Sequence, residues 1–195
     1  LMAWTWNTTK ADIERSVRAA EARQLLEIFP ANTHNNSLID DRFTLKANTP
    51  LLELRGDRSG YTVRLNDEVV GIILPATARD GYSGDIELIV GIAADGTVAG
   101  TRVVSHKETP GLGDGIDTRK SPWMLSFNGR SLISPSQPDW GVKKDGGAFD
   151  QFTGATVTPR AVVAAVRRTL EYQALHRAQL FEIDVAENPA VETGP

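Results

Sequence analysis

Apolar residues fall at helical spacing near both ends of the chain and alternate in the middle. Over residues 9–29 the stripe Ile13, Val17, Ala20, Leu25, Leu26 and Phe29 predicts an amphipathic helix. Thr9-Lys10-Ala11-Asp12 resembles a capping box at its start, and Pro30 stops it, having no N–H to continue the ladder. His34-Asn35-Asn36-Ser37 follows as a polar loop. Residues 61–65 alternate with period two, Asn66-Asp67-Glu68 supplies a tight turn, and residues 69–74 return as a partner strand. Residues 75–85 read as a long connection. Residues 86–92 and 97–104 flank Asp95-Gly96, a hairpin signal because glycine reaches positive φ at little cost.

Beyond residue 104 the alternation breaks. Residues 105–117 hold Pro110, Gly111, Gly113 and Gly115, and read as a loop. Residues 121–127 suit a short helix with Pro122 in its first turn, and residues 134–138 a turn. Asp145-Gly146-Gly147 precedes residues 149–158, which lead into a helix over 159–180. Its predicted N-cap is Thr158, and its apolar set is Val162, Val163, Val166, Leu170 and Leu175. Residues 182–195 carry Glu182, Asp184, Glu187 and Glu192 without a base, the pattern of an acidic flexible tail. Neither an internal repeat nor a dividing linker appears. Strands between two helices give an α+β class: a single domain, an antiparallel sheet with packed helices.

Composition narrows the function. A chain of 195 residues, 41% apolar, is long enough to bury one core. Its net charge of −4 argues against a nucleic-acid partner. The lack of cysteine excludes disulfides, thiolate catalysis, iron–sulfur clusters and cysteine-ligated zinc. His34, His106 and His176 are scattered without metal-ligand spacing, so no metal site is predicted. Gly111-x-Gly113-x-Gly115 follows Pro110 and not a strand, so it lacks the setting of a dinucleotide fingerprint. The longest apolar stretch, about residues 69–76, is far short of the ~18 needed to span a bilayer. The chain starts at Leu1, which leaves room for a removed N-terminal segment. Trp4 and Trp6 suit either a juxtamembrane segment over residues 1–8 or a vector-derived scar. Trp123 and Trp140 are expected in the core. Arg160, Arg167, Arg168 and Arg177 make the last helix locally basic, a solvated face or a docking surface.

The segment Asp150-Gln151-Phe152-Thr153-Gly154-Ala155-Thr156-Val157-Thr158-Pro159 places small residues and hydroxyls at a helix start, where free N–H groups suit an anion. Spacing alone favours a plain capped helix start and nothing more.

Asp150-x-x-Thr153-Gly154-Ala155-Thr156 also resembles the flavinylation motif of the FMN-binding domain family. Ser105-His106-Lys107-Glu108-Thr109-Pro110-Gly111-Leu112-Gly113-Asp114 looks like that family's flavin-contacting loop. Gly81-Tyr82-Ser83-Gly84-Asp85, Lys120-Ser121-Pro122-Trp123 and Val142-Lys143-Lys144-Asp145-Gly146-Gly147 are similar to its branch of G subunits from Rnf-type ion-translocating ferredoxin:NAD oxidoreductases, relatives of the C subunit of sodium-translocating NADH:quinone reductases. The likeness spans about residues 9–180. It departs from the wider family at Pro159, where many relatives have serine, and in lacking the N-terminal membrane helix.

The resemblance implies that residues 9–181 form an FMN-binding electron-transfer domain, with covalent FMN joined to Thr156 through a phosphoester. It implies that Thr153, Gly154, Ala155, Val157 and Thr158 surround the attachment point. Glu108, Thr109, Pro110, Gly111, Leu112, Gly113, Tyr82 and Ser83 would meet the flavin, and Asp150 would be read by a flavin transferase. Glu108, the one ionisable side chain of residues 108–113, would tune the flavin. The implied partners are the other subunits of an Rnf-type membrane complex, and the implied place is the periplasmic side of the inner membrane. No catalytic residue is expected, since flavins bring their own redox chemistry. The rival readings are a soluble FMN-dependent reductase and a cofactor-free binding module.

Overall fold

The computed structural model describes residues 2–182, with side chains from residue 14 onward. A long helix, α1 (Met2–Ile28), precedes five strands: β1 (Arg42–Leu45), β2 (Arg58–Leu65), β3 (Glu68–Gly81), β4 (Gly84–Ala93) and β5 (Val98–Ser105). Short 3-10 turns at Asp114–Ile116, Trp123–Phe127, Gln137–Asp139 and Lys143–Asp145 lead to α2 (Val157–Leu175) and a last turn, α3 (Arg177–Leu180). The strands pair antiparallel in the order β1-β2-β3-β4-β5. The class is α+β in a single domain.

Period-two alternation gives each sheet face its own core. Ile72, Leu74, Ala76 and Ala78 of β3 and Ile86, Leu88, Val90 and Ile92 of β4 face α2, whose Val162, Val163, Val166 and Leu170 are buried against them. The intervening Ile73 and Ile89 join Leu25 and Ile28 of α1, and Phe29 just after it, with Tyr61 and Val63. Glycines make this second contact close. A Cβ on Gly91 would lie 2.1 Å from Ile28 Cγ2, and one on Gly71 would lie 2.5 Å from Phe29 Cζ. Beyond α2 an aromatic group of Trp123, Phe127, Trp140 and Phe149 closes the first core, as expected for both tryptophans.

Two turns form as their residues require. Asn66 and Asp67 both take positive φ, 52° and 68°, the geometry of a type I′ hairpin. Gly96 closes the β4–β5 hairpin at φ 86°.

Residues 75–85 are not a connection. They complete β3, turn at Tyr82-Ser83 and enter β4, with Pro75 opposite Ile89 and Ala78 opposite Ile86. Proline is accommodated because its nitrogen faces away from β4. Two residues on, the Thr77 N–H points the same way and donates to Leu52 O at 2.9 Å. On that side β2 pairing has already ended at Tyr61–Ile73, so no ladder bond is lost.

The helices also differ from expectation. α1 runs through residues 9–12 without starting there, so the capping-box reading fails. Val17 and Leu26 are exposed, and the buried stripe begins only at Leu25. The side chains of Trp4, Trp6 and Ile13 lie outside the described residues. α2 begins two residues before Pro159 and ends at Leu175, which is 75% exposed and so leaves the predicted apolar set. His176 stacks on Tyr172 and separates α2 from α3. Thr158 lies inside α2 and is not its N-cap. Of the predicted tail, only Glu182 is described, and it pairs with Arg64 at 2.5 Å.

Candidate functional site

The hydroxyl-rich segment enters α2 through a β-turn. Ala155 N–H donates to Phe152 O at 3.1 Å, and Gly154, third in the turn, has φ 78°. Thr156 precedes the helix with φ −78°, ψ −28°, a helical conformation in which its side chain caps nothing. Arg160 N–H to Thr156 O, 3.2 Å, is the first helical bond. Among the described residues, the N–H groups of Val157 and Thr158 have no backbone acceptor, and Pro159 has no N–H. The helix therefore opens with unpaired donors and the positive end of its dipole.

The three threonines differ. Thr153 is exposed, and Thr156 is half-buried; neither hydroxyl makes a hydrogen bond among the described residues. Thr158 is fully buried, and its hydroxyl donates to the Glu108 carboxylate.

That bond brings the 108–113 loop to the start of α2. The other Glu108 oxygen accepts the Ser83 N–H at 2.8 Å, which adds the β3–β4 turn. Three segments far apart in sequence thus converge. Leu112 completes the contact, lying 3.8 Å from where a Cβ on Gly154 would sit. Asp114 accepts the Gly111 N–H at 2.8 Å, which closes the loop around Gly111 at φ 77°. Tyr82, Leu112 and Val157 remain exposed on the three segments, so the rim of the site is apolar and open.

Neighbouring side chains brace the turn. Trp123 donates its indole N–H to Asp150 O at 2.8 Å and meets Phe152 edge-on at 5.2 Å between centroids. Arg160 grips Asp145 through two nitrogens, at 2.5 and 2.6 Å, and its hydrogen bonds hold the Asp145 pKa below the usual carboxylate range. Asp150 pairs with Lys143 at 2.6 Å in an exposed contact. Past the loop, Arg119 hydrogen bonds lower the Asp117 pKa to about 2.

Sequence reasoning proposed the three segments, and the structure places them together. It missed Asp114 as a loop closure and Trp123 as a support of the motif backbone. The one pointer to Trp123 was the run Lys120-Ser121-Pro122-Trp123.

The FMN-binding domain family matches residues 81–171, which span all three segments. The chain is 48% identical over 181 residues to the G subunit of the ion-translocating oxidoreductase complex of Pseudomonas aeruginosa (strain UCBPP-PA14), covering 93% of this chain and 84% of the relative. The chain belongs to this G-subunit family. The Vibrio cholerae G subunit (strain M66-2) is 44% identical over 180 residues, covering 92% of this chain and 85% of the relative. The Erwinia tasmaniensis protein of the same name is 48% identical over 164 residues, covering 84% and 77%.

The site of this G-subunit relative fits a phosphorylated flavin. Gly111 has nothing within 4 Å of where a Cβ would stand, and Gly154 has only Leu112, so both faces are open to a ligand. The free helical N–H groups suit phosphate, and the apolar rim suits an aromatic ring. Among the described residues no His/Asp/Glu cluster could hold a metal, and no helix is long and apolar enough to cross a membrane.

Proposed function

We propose that this chain is the FMN-carrying electron-transfer subunit of a membrane-bound, Rnf-type ion-translocating oxidoreductase complex, with FMN joined to Thr156 through a phosphoester. The motif resemblance favours its last threonine over Thr153, and one observation carries the choice over Thr158. Within the first turn of α2 the Thr158 hydroxyl is buried and bonded to Glu108, whereas Thr156 keeps an unbonded hydroxyl beside free N–H donors. The family match over residues 81–171 supports FMN as the ligand.

Attachment requires an FMN donor activated as a phosphoanhydride, supplied with a flavin transferase. The Thr156 oxygen attacks phosphorus, the anhydride P–O bond breaks, and the phosphate leaving group departs with the bridging oxygen. The hydroxyl proton passes to a base or to solvent, and no oxidation state changes. The first-turn N–H groups would stabilise the remaining negative charge by ~0.3–1 kcal/mol, the value of an anion near a solvated helix end. The Thr153-Gly154 turn and the 108–113 loop would hold it.

FMN supplies one- and two-electron transfer when bound. The chain supplies position and an open apolar rim of Tyr82, Leu112 and Val157, where a partner subunit's redox centre can approach. A covalent tether retains the cofactor without an enclosing pocket. The isolated domain turns over no substrate. In the assembly it stands on the periplasmic side of the inner membrane, held by a segment N-terminal to α1.

Coexpression with a flavin transferase tests the proposal. Intact mass should rise by one FMN unit, flavin absorbance should survive denaturation, and peptide mapping should place it on Thr156. Mapping to Thr153 or Thr158, or loading of Thr156→Val, overturns the assignment.

A further inference from the structure

Glu108 is 4% exposed, yet among the described residues no cation pairs with it. A buried carboxylate without a counter-charge persists only where donors replace water. Here the donors are the Ser83 N–H at 2.8 Å and the Thr158 hydroxyl. They belong to the β3–β4 turn and to α2, 25 and 50 residues from Glu108. The Thr158 bond sets the carboxylate beside the positive end of α2. Gly113 completes the arrangement: a Cβ there would come within 2.8 Å of both Glu108 Oε2 and Thr158 Oγ. Packing alone does not call for an ionisable side chain at this point.

We infer that Glu108 is a positioning residue for flavin attachment. Its carboxylate clasps the β3–β4 turn and the first turn of α2 to the 108–113 loop. The clasp engages the Thr158 hydroxyl as a donor and presents Thr156 as the free acceptor of the phosphoryl group. The inference rests on the reading that Thr156 carries FMN, and it goes beyond that reading by assigning what prepares the site before FMN arrives.

Four variants of the full chain test it: Glu108→Ala, Glu108→Gln, Gly113→Ala and Val90→Ala. Val90 is buried on β4 away from the clasp, so its truncation measures the effect of lost stability alone. The first readout is amide hydrogen exchange at Ser83 in the FMN-free chain. Glu108→Ala should accelerate it ~10-fold or more, the factor set by loss of a charge-assisted hydrogen bond. Glu108→Gln should restore protection, because its amide oxygen accepts from Ser83 and its NH2 donates to Thr158 Oγ. The second readout is the rate of covalent FMN incorporation, followed by intact mass with transferase and FMN donor. It should fall in Glu108→Ala and Gly113→Ala and recover in Glu108→Gln.

Wild-type exchange and incorporation in Glu108→Ala overturn the inference. So does Val90→Ala if, at an equal loss of Tm, it slows incorporation as much. A wild-type chain that takes no FMN while Ser83 exchange still responds to Glu108 overturns the attachment reading, and with it the role in attachment. The exchange result separates that failure from failure of the clasp.

Discussion

Thr158→Val keeps the shape of the side chain and removes one hydroxyl. The hydroxyl is fully buried, and its partner is a carboxylate that is itself 4% exposed. A hydrogen bond to a charged group contributes ~1.5–3 kcal/mol, and deleting one partner of a buried pair exposes that full amount. At ~2–4 °C per kcal/mol for a domain of this size, the FMN-free variant should melt ~3–12 °C below wild type. Thr156→Val, two residues away, removes a hydroxyl with no hydrogen bond among the described residues, so its effect should stay within ~0.5 kcal/mol. The pair separates structure from chemistry: Thr158→Val should lose stability, while Thr156→Val should lose covalent FMN. Thermal melts and urea titrations of FMN-free proteins, followed by loading assays, measure both. Equal Tm values for Thr158→Val and wild type would refute the claim that the hydroxyl serves Glu108.

Asp150→Asn should reduce FMN loading in a transferase assay with Tm nearly unchanged, because its ion pair with Lys143 is exposed and such pairs contribute ~1 kcal/mol at most. With the ring against the 108–113 loop, as proposed, Glu108→Gln should keep covalent FMN and raise its midpoint potential in a redox titration at fixed pH and salt, since a neutral side chain there opposes charge on the reduced form less. Equal midpoints would place the carboxylate out of electrostatic reach. Asp117, held at about 2 against an ordinary 3.8, adds stability that is full above about pH 4 and is lost as pH falls toward 2. Urea unfolding should therefore show Asp117→Asn less stable than wild type at pH 6, with the gap closing near pH 2. Leu170→Ala should cost ~2–5 kcal/mol in urea unfolding, whereas Leu175→Ala at its exposed position should stay near zero.

Local signals were legible where local physics decides the outcome. Asn66-Asp67 and Asp95-Gly96 made their hairpins because short polar residues and glycine tolerate positive φ, whatever surrounds them. Pro75 misled because a proline's tolerance depends on which edge of the strand its nitrogen faces, and residues 52 and 77 settle that from outside the local sequence. Thr158 looked like an N-cap because threonine suits one, but Glu108 competes for its hydroxyl across 50 residues. The candidate site was legible as three separate segments. Their convergence was not, because it depends on the full length of β3 and β4, which delivers Ser83 to Glu108.

The same hairpin has a mechanical consequence. α1 is 27 residues, about 40 Å at ~1.5 Å per residue, and no side chain from residue 14 to 20 is buried. Its hold on the domain starts with the Arg18–Asp40 pair and the Tyr61 hydroxyl on Glu21, continues through buried Leu25 and the Glu27–Arg102 pair, and ends where Ile28 and Phe29 key into glycine notches on β3 and β4. From the Gly71 notch β3 runs about ten residues, ~33 Å at ~3.3 Å per residue, to Gly81 and the turn that supplies the Ser83 N–H. Helix and hairpin meet at a close-packed joint, where a methyl added to Gly71 or Gly91 would clash with Phe29 or Ile28. The β3–β4 turn in its turn reaches the start of α2 through Glu108, so the seat of α1 and the threonine-rich turn are joined by one hairpin and one buried carboxylate.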